Sequence, residues 1–204
     1  MEKQILITGA SGLLGKALVH QFAANGYHVF AQYRQEEPRY LKNCDWIQAD
    51  FSTLTGIRDF LVENSLRFKR CSFLVNNYGP ITYKDIADLT AEDFYFDFHH
   101  NVITAFEITD FFIKYTQVQA VVNIGFEDVG IVKPYKKILT YAAAKNALQL
   151  MTGSFAARYG NIRFHLVSPA AMQGAKVPSK EGKKVAPQAV ALEVYEKITL
   201  NPRC

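Results

Sequence analysis

Gln4-Ile5-Leu6-Ile7-Thr8 runs straight into Gly9-Ala10-Ser11-Gly12-Leu13-Leu14-Gly15. The first five residues read as a buried strand, and Lys16 to Asn25 reads as a helix that Gly26 ends. Between them, glycines fall at positions 9, 12 and 15. Gly9 can adopt backbone angles closed to other residues, Gly12 lets the chain approach a pyrophosphate, and Gly15 lets helix and strand pack closely. An anion held there sits over a helix amino terminus, where unpaired N–H groups and the dipole favour negative charge. A tight structural turn is the plainer alternative, but strand, glycine turn and helix in this order predict a nucleotide site. No Gly-Lys-Ser/Thr ending follows, which argues against an ATP-hydrolysing phosphate loop.

Outward from this unit, strands and helices alternate. Tyr27 to Tyr33, Trp46 to Ala49, Ser72 to Asn76, Gln119 to Ile124 and Arg163 to Val167 read as further strands. Helices are expected near Thr55 to Leu66, from Thr90 to about Tyr115, from Thr140 to Tyr159 and from Val185 to Ile198. Thr90 can cap the second of these, with Asp93 as a short form of the acidic box partner. Nearly continuous apolar strands joined by crossover helices predict a mostly parallel sheet covered on both faces, an α/β fold in three layers, α/β/α. With 204 residues, 49% of them hydrophobic, the chain can build one full core and is short for two. One nucleotide-binding domain over residues 1–204 is expected.

The formal net charge of +4 comes with no lysine- and arginine-rich tract, so no nucleic acid partner is expected. No apolar run reaches the ~18 residues of a membrane span. Cys44, Cys71 and Cys204 have no motif spacing. Their odd number, and an amino terminus that enters a strand without a secretion signal, fit a reducing, cytoplasmic setting.

Chemistry enters at Tyr141-Ala142-Ala143-Ala144-Lys145. Positions i and i+4 share a helix face, so phenol and ammonium can point into one pocket. A cation beside a phenol favours the phenolate and is expected to lower a pKa that is about 10 when unperturbed. Tyrosine and lysine four apart also occur by chance on many helices. Combined with the glycine turn, the pair suggests a carbonyl–alcohol redox enzyme.

The end of the second strand speaks to cofactor choice. A carboxylate there holds a ribose 2′-hydroxyl, whereas an arginine suits a 2′-phosphate. This chain has Gln32-Tyr33-Arg34-Gln35 and no carboxylate before Glu36, which predicts NADPH ahead of NADH. Asp50 ends the third strand, where it could accept from an adenine amino group or cap the turn at Ser52. Asn76-Asn77-Tyr78-Gly79-Pro80 ends the fourth, where asparagines can tie strand ends together and Gly79 lets the backbone approach a cofactor. Asn101 lies mid-helix, where a polar side chain has reason to bond inward or hold water.

Together these residues resemble the short-chain dehydrogenase/reductase family. The matching set is Thr8 to Gly15, Asp50, Asn76-Asn77-Tyr78-Gly79, Asn101, Tyr141 with Lys145, and Ser168-Pro169, over roughly residues 3 to 200. The resemblance implies a Rossmann-type, doubly wound parallel sheet and an NAD(P)-dependent reaction without metal. It implies that Tyr141 passes a proton to the substrate oxygen and that Lys145 holds the nicotinamide ribose and tunes the tyrosine. Asn101 would support a water in the proton relay. Thr8, Gly9, Ser11, Gly12, Leu14 and Gly15 are the expected glycine-turn contacts to the cofactor. Arg34, Asp50, Phe51, Asn77, Tyr78 and Gly79 belong to the adenosine side, and Ile124 and Pro169 complete the cofactor set.

The chain also departs from that family. Its glycine spacing resembles the extended branch, whereas Asn77-Tyr78-Gly79 and Asn101 are closer to the classical one. Tyr78 stands for a usual alanine and Ala170 for a usual glycine, and Cys204 is reached before the family's last strand. The catalytic serine is the largest gap. By strand end its position is Phe126, and by counting back thirteen residues from Tyr141 it is Asp128. Neither offers a neutral hydroxyl, and one lost donor costs on the order of 3 kcal/mol, or about 100-fold in rate. Tyr135 or Thr140 could supply the hydroxyl after a loop shift.

Three functions follow: reduction of a ketone on a small or carrier-linked substrate, which is favoured; a weak or inactive dinucleotide-binding sensor or partner-binding protein; and, least favoured, an epimerase-like or other activity. Lys176, Lys180, Lys183 and Lys184 could attract a phosphorylated or carrier-linked group, or simply be solvated; Glu181 is the acid among them. Phe94, Phe96, Phe98, Phe106, Phe111 and Phe112 are too dense for one buried stripe and predict a homodimer or homotetramer.

Overall fold

Ile5 and Ile7 point to one side of the first strand and Leu6 to the other, and all three are fully buried. Burial on both faces is what a parallel strand between two helical layers requires. The alternation recurs along the sheet. Val29, Val75 and Val122 join one core with Leu18, Phe22 and Val194. Phe30, Leu74 and Val121 join the other with Ile57, Phe60 and Phe112.

The computed structural model describes residues 3–35, 40–127, 130, 134–175 and 184–200. Six strands form one parallel sheet: β1 (Lys3–Ile7), β2 (Tyr27–Tyr33), β3 (Cys44–Gln48), β4 (Phe73–Asn76), β5 (Ala120–Ile124) and β6 (Arg163–Val167). Their order is β3-β2-β1-β4-β5-β6. Helices α1 (Leu13–Ala24) and α7 (Pro187–Thr199) pack together over one face, and α2 (Leu54–Glu63) and α5 (Thr104–Tyr115) over the other. The short α3 (Ser65–Phe68) follows α2, and α6 (Leu139–Arg158) lies against β6 and α4 (Ala91–Phe98). This is the doubly wound Rossmann arrangement expected from the sequence. Among the described residues no strand follows α7, and no helix is long and apolar enough to cross a membrane. Cys204 lies outside the described residues.

Two expected helices are interrupted. The first breaks at Asn64, whose side-chain amide donates to the Phe60 carbonyl at 2.9 Å, and the chain restarts as α3. The second begins as expected, with the Thr90 N–H donating to the Asp93 carboxylate at 3.0 Å. Between α4 and α5, however, a π turn spans His99–Ile103. The Thr104 hydroxyl donates to the His99 carbonyl across it at 2.9 Å. Single wide turns of this kind redirect the side chains that follow.

One polar line crosses the otherwise apolar sheet. The Asn76 amide donates to Thr109 on α5 at 3.0 Å and to the Asn123 side-chain oxygen at 2.8 Å. The Asn123 amide donates to Thr152 on α6 at 2.8 Å, and that hydroxyl donates to the Leu148 carbonyl at 2.7 Å. All four side chains are buried. A buried polar group left unpaired costs about 1–3 kcal/mol, so the line favours one placement of α5 and α6 against the sheet. Asn123→Leu should therefore lower unfolding stability by about 1–3 kcal/mol in chemical denaturation, and Asn76→Leu combined with it should cost less than the sum of the single changes.

Candidate active site

The strand order reverses between β1 and β4, and the crevice at such a reversal opens beyond the carboxyl ends of the strands. Polar side chains build its floor. The Thr8 hydroxyl oxygen accepts the Asn77 N–H at 3.1 Å and the Tyr78 N–H at 3.0 Å. The Asn77 amide donates to the Thr8 and Gly9 carbonyls, 3.0 Å each. From β2, the Gln32 side-chain oxygen accepts the Gly9 N–H at 2.8 Å, while its amide donates to the Ala49 carbonyl at 2.7 Å. Gly9 has φ +61°, and a Cβ there would lie 2.9 Å from Tyr78 Cα, so angle and space both require glycine. Gly15 is buried beneath, where a Cβ would strike the Gly9 carbonyl.

A groove of about 1260 Å³ lies over this floor. Gly9, Ser11, Gly12 and Leu14 line its middle, and Asn77, Tyr78 and Gly79 one wall. Lys16, Arg34 and Trp46 line it as well, with Arg34 exposed. Gly12 caps α1 without a side-chain bond, and the first turn holds no acid, which leaves N–H groups for an anion. The glycine cradle, the open helix end and the arginine fit a dinucleotide.

Thr8, Asp50 and Phe51 do not line the groove. Thr8 ties strand ends. The Asp50 carboxylate accepts the Ser52 N–H at 2.9 Å, the capping alternative. Phe51 is fully buried with its ring 5.2 Å from that of Phe60, and its carbonyl bonds His99 Nε2 at 2.9 Å. Burial pushes the Tyr78 phenol up to about 12, with Arg34 pulling it down. Glu36 lies outside the described residues.

A second cavity, of about 510 Å³, shares Leu14, Asn77, Gly79 and Ile81 with the groove. Tyr141, Lys145, Ile124 and Pro169 line it. Lys145 is 3% exposed; its ammonium donates to the Ile124 carbonyl at 2.7 Å and lies 5.5 Å from the centre of the Tyr141 ring. Burial pushes that ammonium down to about 7, against an upward pull from Asp97. The same burial, reinforced by Asp97, raises the Tyr141 phenol above its ordinary value. The lowering expected from the sequence is thus reversed: Lys145 directs its hydrogen bond to Ile124, and loss of water dominates at the phenol.

Asn101 sits on the π turn, 1% exposed. Its amide donates to the Asp97 and Pro80 carbonyls at 3.0 Å each. Its side-chain oxygen is buried without a partner. A Cβ on Gly79 would strike that oxygen and come within 3.2 Å of Lys145 Nζ. Glycine is therefore required where the asparagine and the lysine converge, and the unpaired acceptor suits a small hydroxylic group.

At the position expected for serine by strand end, Phe126 lines the second cavity, its ring 5.7 Å from that of Tyr141 and 6.0 Å from that of Tyr135. Asp128 lies outside the described residues. Thr140 does not face the cavity. It is fully buried and donates its hydroxyl to Asp97 at 2.5 Å. Tyr135 does line the cavity. Lys184 donates to the Ala175 carbonyl at 2.7 Å, and Lys176, Lys180, Glu181 and Lys183 lie outside the described residues. Sequence reasoning assigned no role to Gln32 or Asp97, although each is a polar residue inside an apolar run, which is the signal that could have found them.

The sequence matches the short chain dehydrogenase family over residues 3–185. A tropinone reductase homolog from Arabidopsis thaliana is 27% identical over 184 residues, covering 82% of this chain and 68% of that protein. Among solved structures, angucycline C-6 ketoreductase LanV with bound NADP aligns with a TM-score of 0.81 at 19% identity, covering 95% of this chain and 87% of that one. 4-Hydroxyisoleucine dehydrogenase complexed with NADH aligns with a TM-score of 0.81 at 22% identity, covering 97% and 91%. At these identities the structural likeness establishes the fold.

The depressed Lys145 ammonium links stability to pH. Folded, it loses its proton near pH 7, whereas in the unfolded chain a lysine keeps it to about 10.4. The unfolded state binds more protons between those values, so stability attributable to Lys145 should rise as pH rises through that window. Denaturation of wild type beside Lys145→Met should show wild type gaining relative stability from pH 7 towards 10. Parallel curves would contradict a buried, proton-shedding lysine.

Proposed function

The chain belongs to the short-chain dehydrogenase family, and we propose that it is an NADPH-dependent reductase converting a ketone to an alcohol, with Tyr141 as proton donor. The observation that carries this reading is the convergence of Tyr141, Lys145 and Asn101 beside Gly79, where the dinucleotide groove meets the second cavity. The amino end of α1 would hold the pyrophosphate, and Arg34 would meet the 2′-phosphate, which favours NADPH over NADH. When bound, the cofactor supplies a hydride. Tyr141 keeps its proton at neutral pH because its phenol is raised, and gives it to the oxygen as negative charge develops there. Lys145 stabilises the phenolate left behind, and the unpaired Asn101 oxygen holds the hydroxylic group through which the tyrosine regains a proton. Tyr135, lining the same cavity, would act as second donor in place of the missing serine.

LanV, a ketoreductase with bound NADP, supports ketone reduction by NADPH, and the tropinone reductase homolog supports a reductase. The cavity volume suits a small substrate, or the reactive end of a carrier-linked one. Phe94, Phe96 and Phe106, each more than a third exposed, support a homodimer or homotetramer, which sedimentation velocity would read directly. Cys44 and Cys71 are free thiols, in keeping with a cytoplasmic protein. Phe126 favours the second reading, a weak or inactive dinucleotide sensor, because it places a ring where a hydroxyl would assist the carbonyl.

Cofactor oxidation over a carbonyl panel separates the two. Tyr141→Phe should lose about 100-fold or more in turnover while retaining cofactor affinity. Trp46, the single tryptophan, lines the groove and reports binding by fluorescence. By that readout Arg34→Ala should weaken NADPH about 10-fold and leave NADH nearly unchanged. Turnover untouched by Tyr141→Phe would remove the assigned donor. NADPH binding with no turnover across the panel would establish the sensor, and equal wild-type affinities for the two cofactors would remove the phosphate contact.

A further inference from the structure

Asp97, at the end of α4, has no part in the chemistry above, yet it is fully buried behind the Tyr141–Lys145 pair. A carboxylate taken out of water is costly unless hydrogen bonds and an opposite charge compensate. Two hydrogen bonds are present. One carboxylate oxygen accepts the Thr82 N–H at 3.2 Å and the other accepts the Thr140 hydroxyl at 2.5 Å. Both donors are neutral, and among the described residues no ion pair within 4.0 Å involves Asp97. Lys145 is in the matching position. It is an ammonium at 3% exposure whose hydrogen bond goes to a neutral carbonyl.

Position links the two groups twice. α4 packs against α6. The Asp97 backbone carbonyl accepts the amide of Asn101, whose free oxygen lies beside Gly79 together with Lys145 Nζ. The Asp97 carboxylate meanwhile holds Thr140, the residue immediately before Tyr141.

We propose that Asp97 is the buried counter-ion of Lys145 and, through its hydrogen bond to Thr140, a positioning residue for Tyr141. The proposal rests on Tyr141 and Lys145 being the working pair of the site. Asp97 is the charged group that acts on both of them. Two opposite charges buried near each other strengthen one another's ionisation, so removing Asp97 must move the titration of Lys145. A carboxylate serving only to anchor Thr140 and Thr82 would leave the lysine's titration in place.

The ionisable groups around the pair are few. Tyr141 shares α6 with Lys145. His99 and His100 stand on the π turn, where His100 is held below its usual value by burial and bonds the Phe96 carbonyl at 2.7 Å. Tyr83, Glu127, Tyr135, Lys136 and Lys137 line the second cavity. His165 on β6 responds to burial and then to Arg163 and Lys197.

The test uses the full chain with carbon-13-labelled lysine, following the Lys145 side-chain resonance against pH and assigning it with Lys145→Arg. Asp97→Asn, nearly isosteric, should lower the Lys145 midpoint by about one pH unit or more. An unchanged midpoint overturns the counter-ion assignment. Thr140→Val keeps the charge and removes the hydroxyl, so it should move the midpoint much less while lowering kcat more than it changes KM. A Thr140→Val shift as large as that of Asp97→Asn would overturn the counter-ion, and an unchanged kcat would overturn the positioning role.

If Asp97→Asn does not fold, Asp97→Ser removes the same charge, and the Lys145 midpoint should fall in that variant as well. An unchanged midpoint there overturns the proposal. These titrations need no substrate, so they fail separately from the reductase reading. Loss of turnover in Tyr141→Phe with no shift in Asp97→Asn sinks only the counter-ion. Full turnover in Tyr141→Phe sinks the proton-donor reading, and with it the positioning role, whatever the titrations show.

Discussion

The side-chain amide of Asn77 donates to the carbonyls of Thr8 and Gly9 together, and the site depends on that clamp. Where the strand order reverses, β1 and β4 part company beyond Ile7 and Asn76, and their backbone groups lose ladder partners just where the chain must stay in place. Thr8 and Asn77 replace the missing ladder with side chains. Gln32 extends the repair by joining Gly9 to the end of β3. With that rim fixed, the start of α1 is fixed too, because Gly15 packs without a Cβ against the same Gly9 carbonyl. The anion site at the helix end is thus a consequence of how the crevice floor is hydrogen-bonded.

Behind the other end of the crevice, buried polar groups again set positions that apolar packing would leave loose. Hydrophobic contact is non-directional, and it can hold α5 and α6 against the sheet in more than one register. The Thr109–Asn76–Asn123–Thr152 line and the Thr140–Asp97 contact are directional and favour one. The π turn finishes the arrangement by swinging Asn101 inward, where its amide is fully used and its oxygen is not. An unpaired buried acceptor is destabilising, and it lies beside Lys145.

Much of this was legible in the sequence because it is periodic or local. The six strands read as apolar runs, β2 and β6 to the residue, and the cap at Thr90 read as a capping box. Tyr141 and Lys145 follow from helical spacing, and the glycine turn from its punctuation. What stayed hidden depends on partners distant in sequence. Thr140 offers a hydroxyl whose direction is chosen by Asp97, 43 residues away. Asp50 had two plausible partners, and the bond to the Ser52 N–H is visible only in the folded turn. The π turn has no proline or glycine to announce it. The direction of the Tyr141 shift was misread for the same reason: spacing reveals the nearby ammonium but not the depth at which both groups are buried.

That depth bears on the missing serine as well. Phe126 stands at the strand end, where the family pattern has a serine, with its ring 5.7 Å from that of Tyr141. Burial raises the phenol and depresses the ammonium. The ammonium shift works against the pair, since a lysine that sheds its proton near neutral pH has less charge to offer a phenolate. The same low polarity, however, lengthens the reach of any charge that remains, because water no longer screens it. In such surroundings a carboxylate with no direct contact can hold a lysine charged, and an ammonium facing a ring can still respond to charge forming on the phenol oxygen. Burial of Asp97 is therefore consistent with, and opposes, the burial of Lys145: a site that excludes water has to carry its own compensating charge.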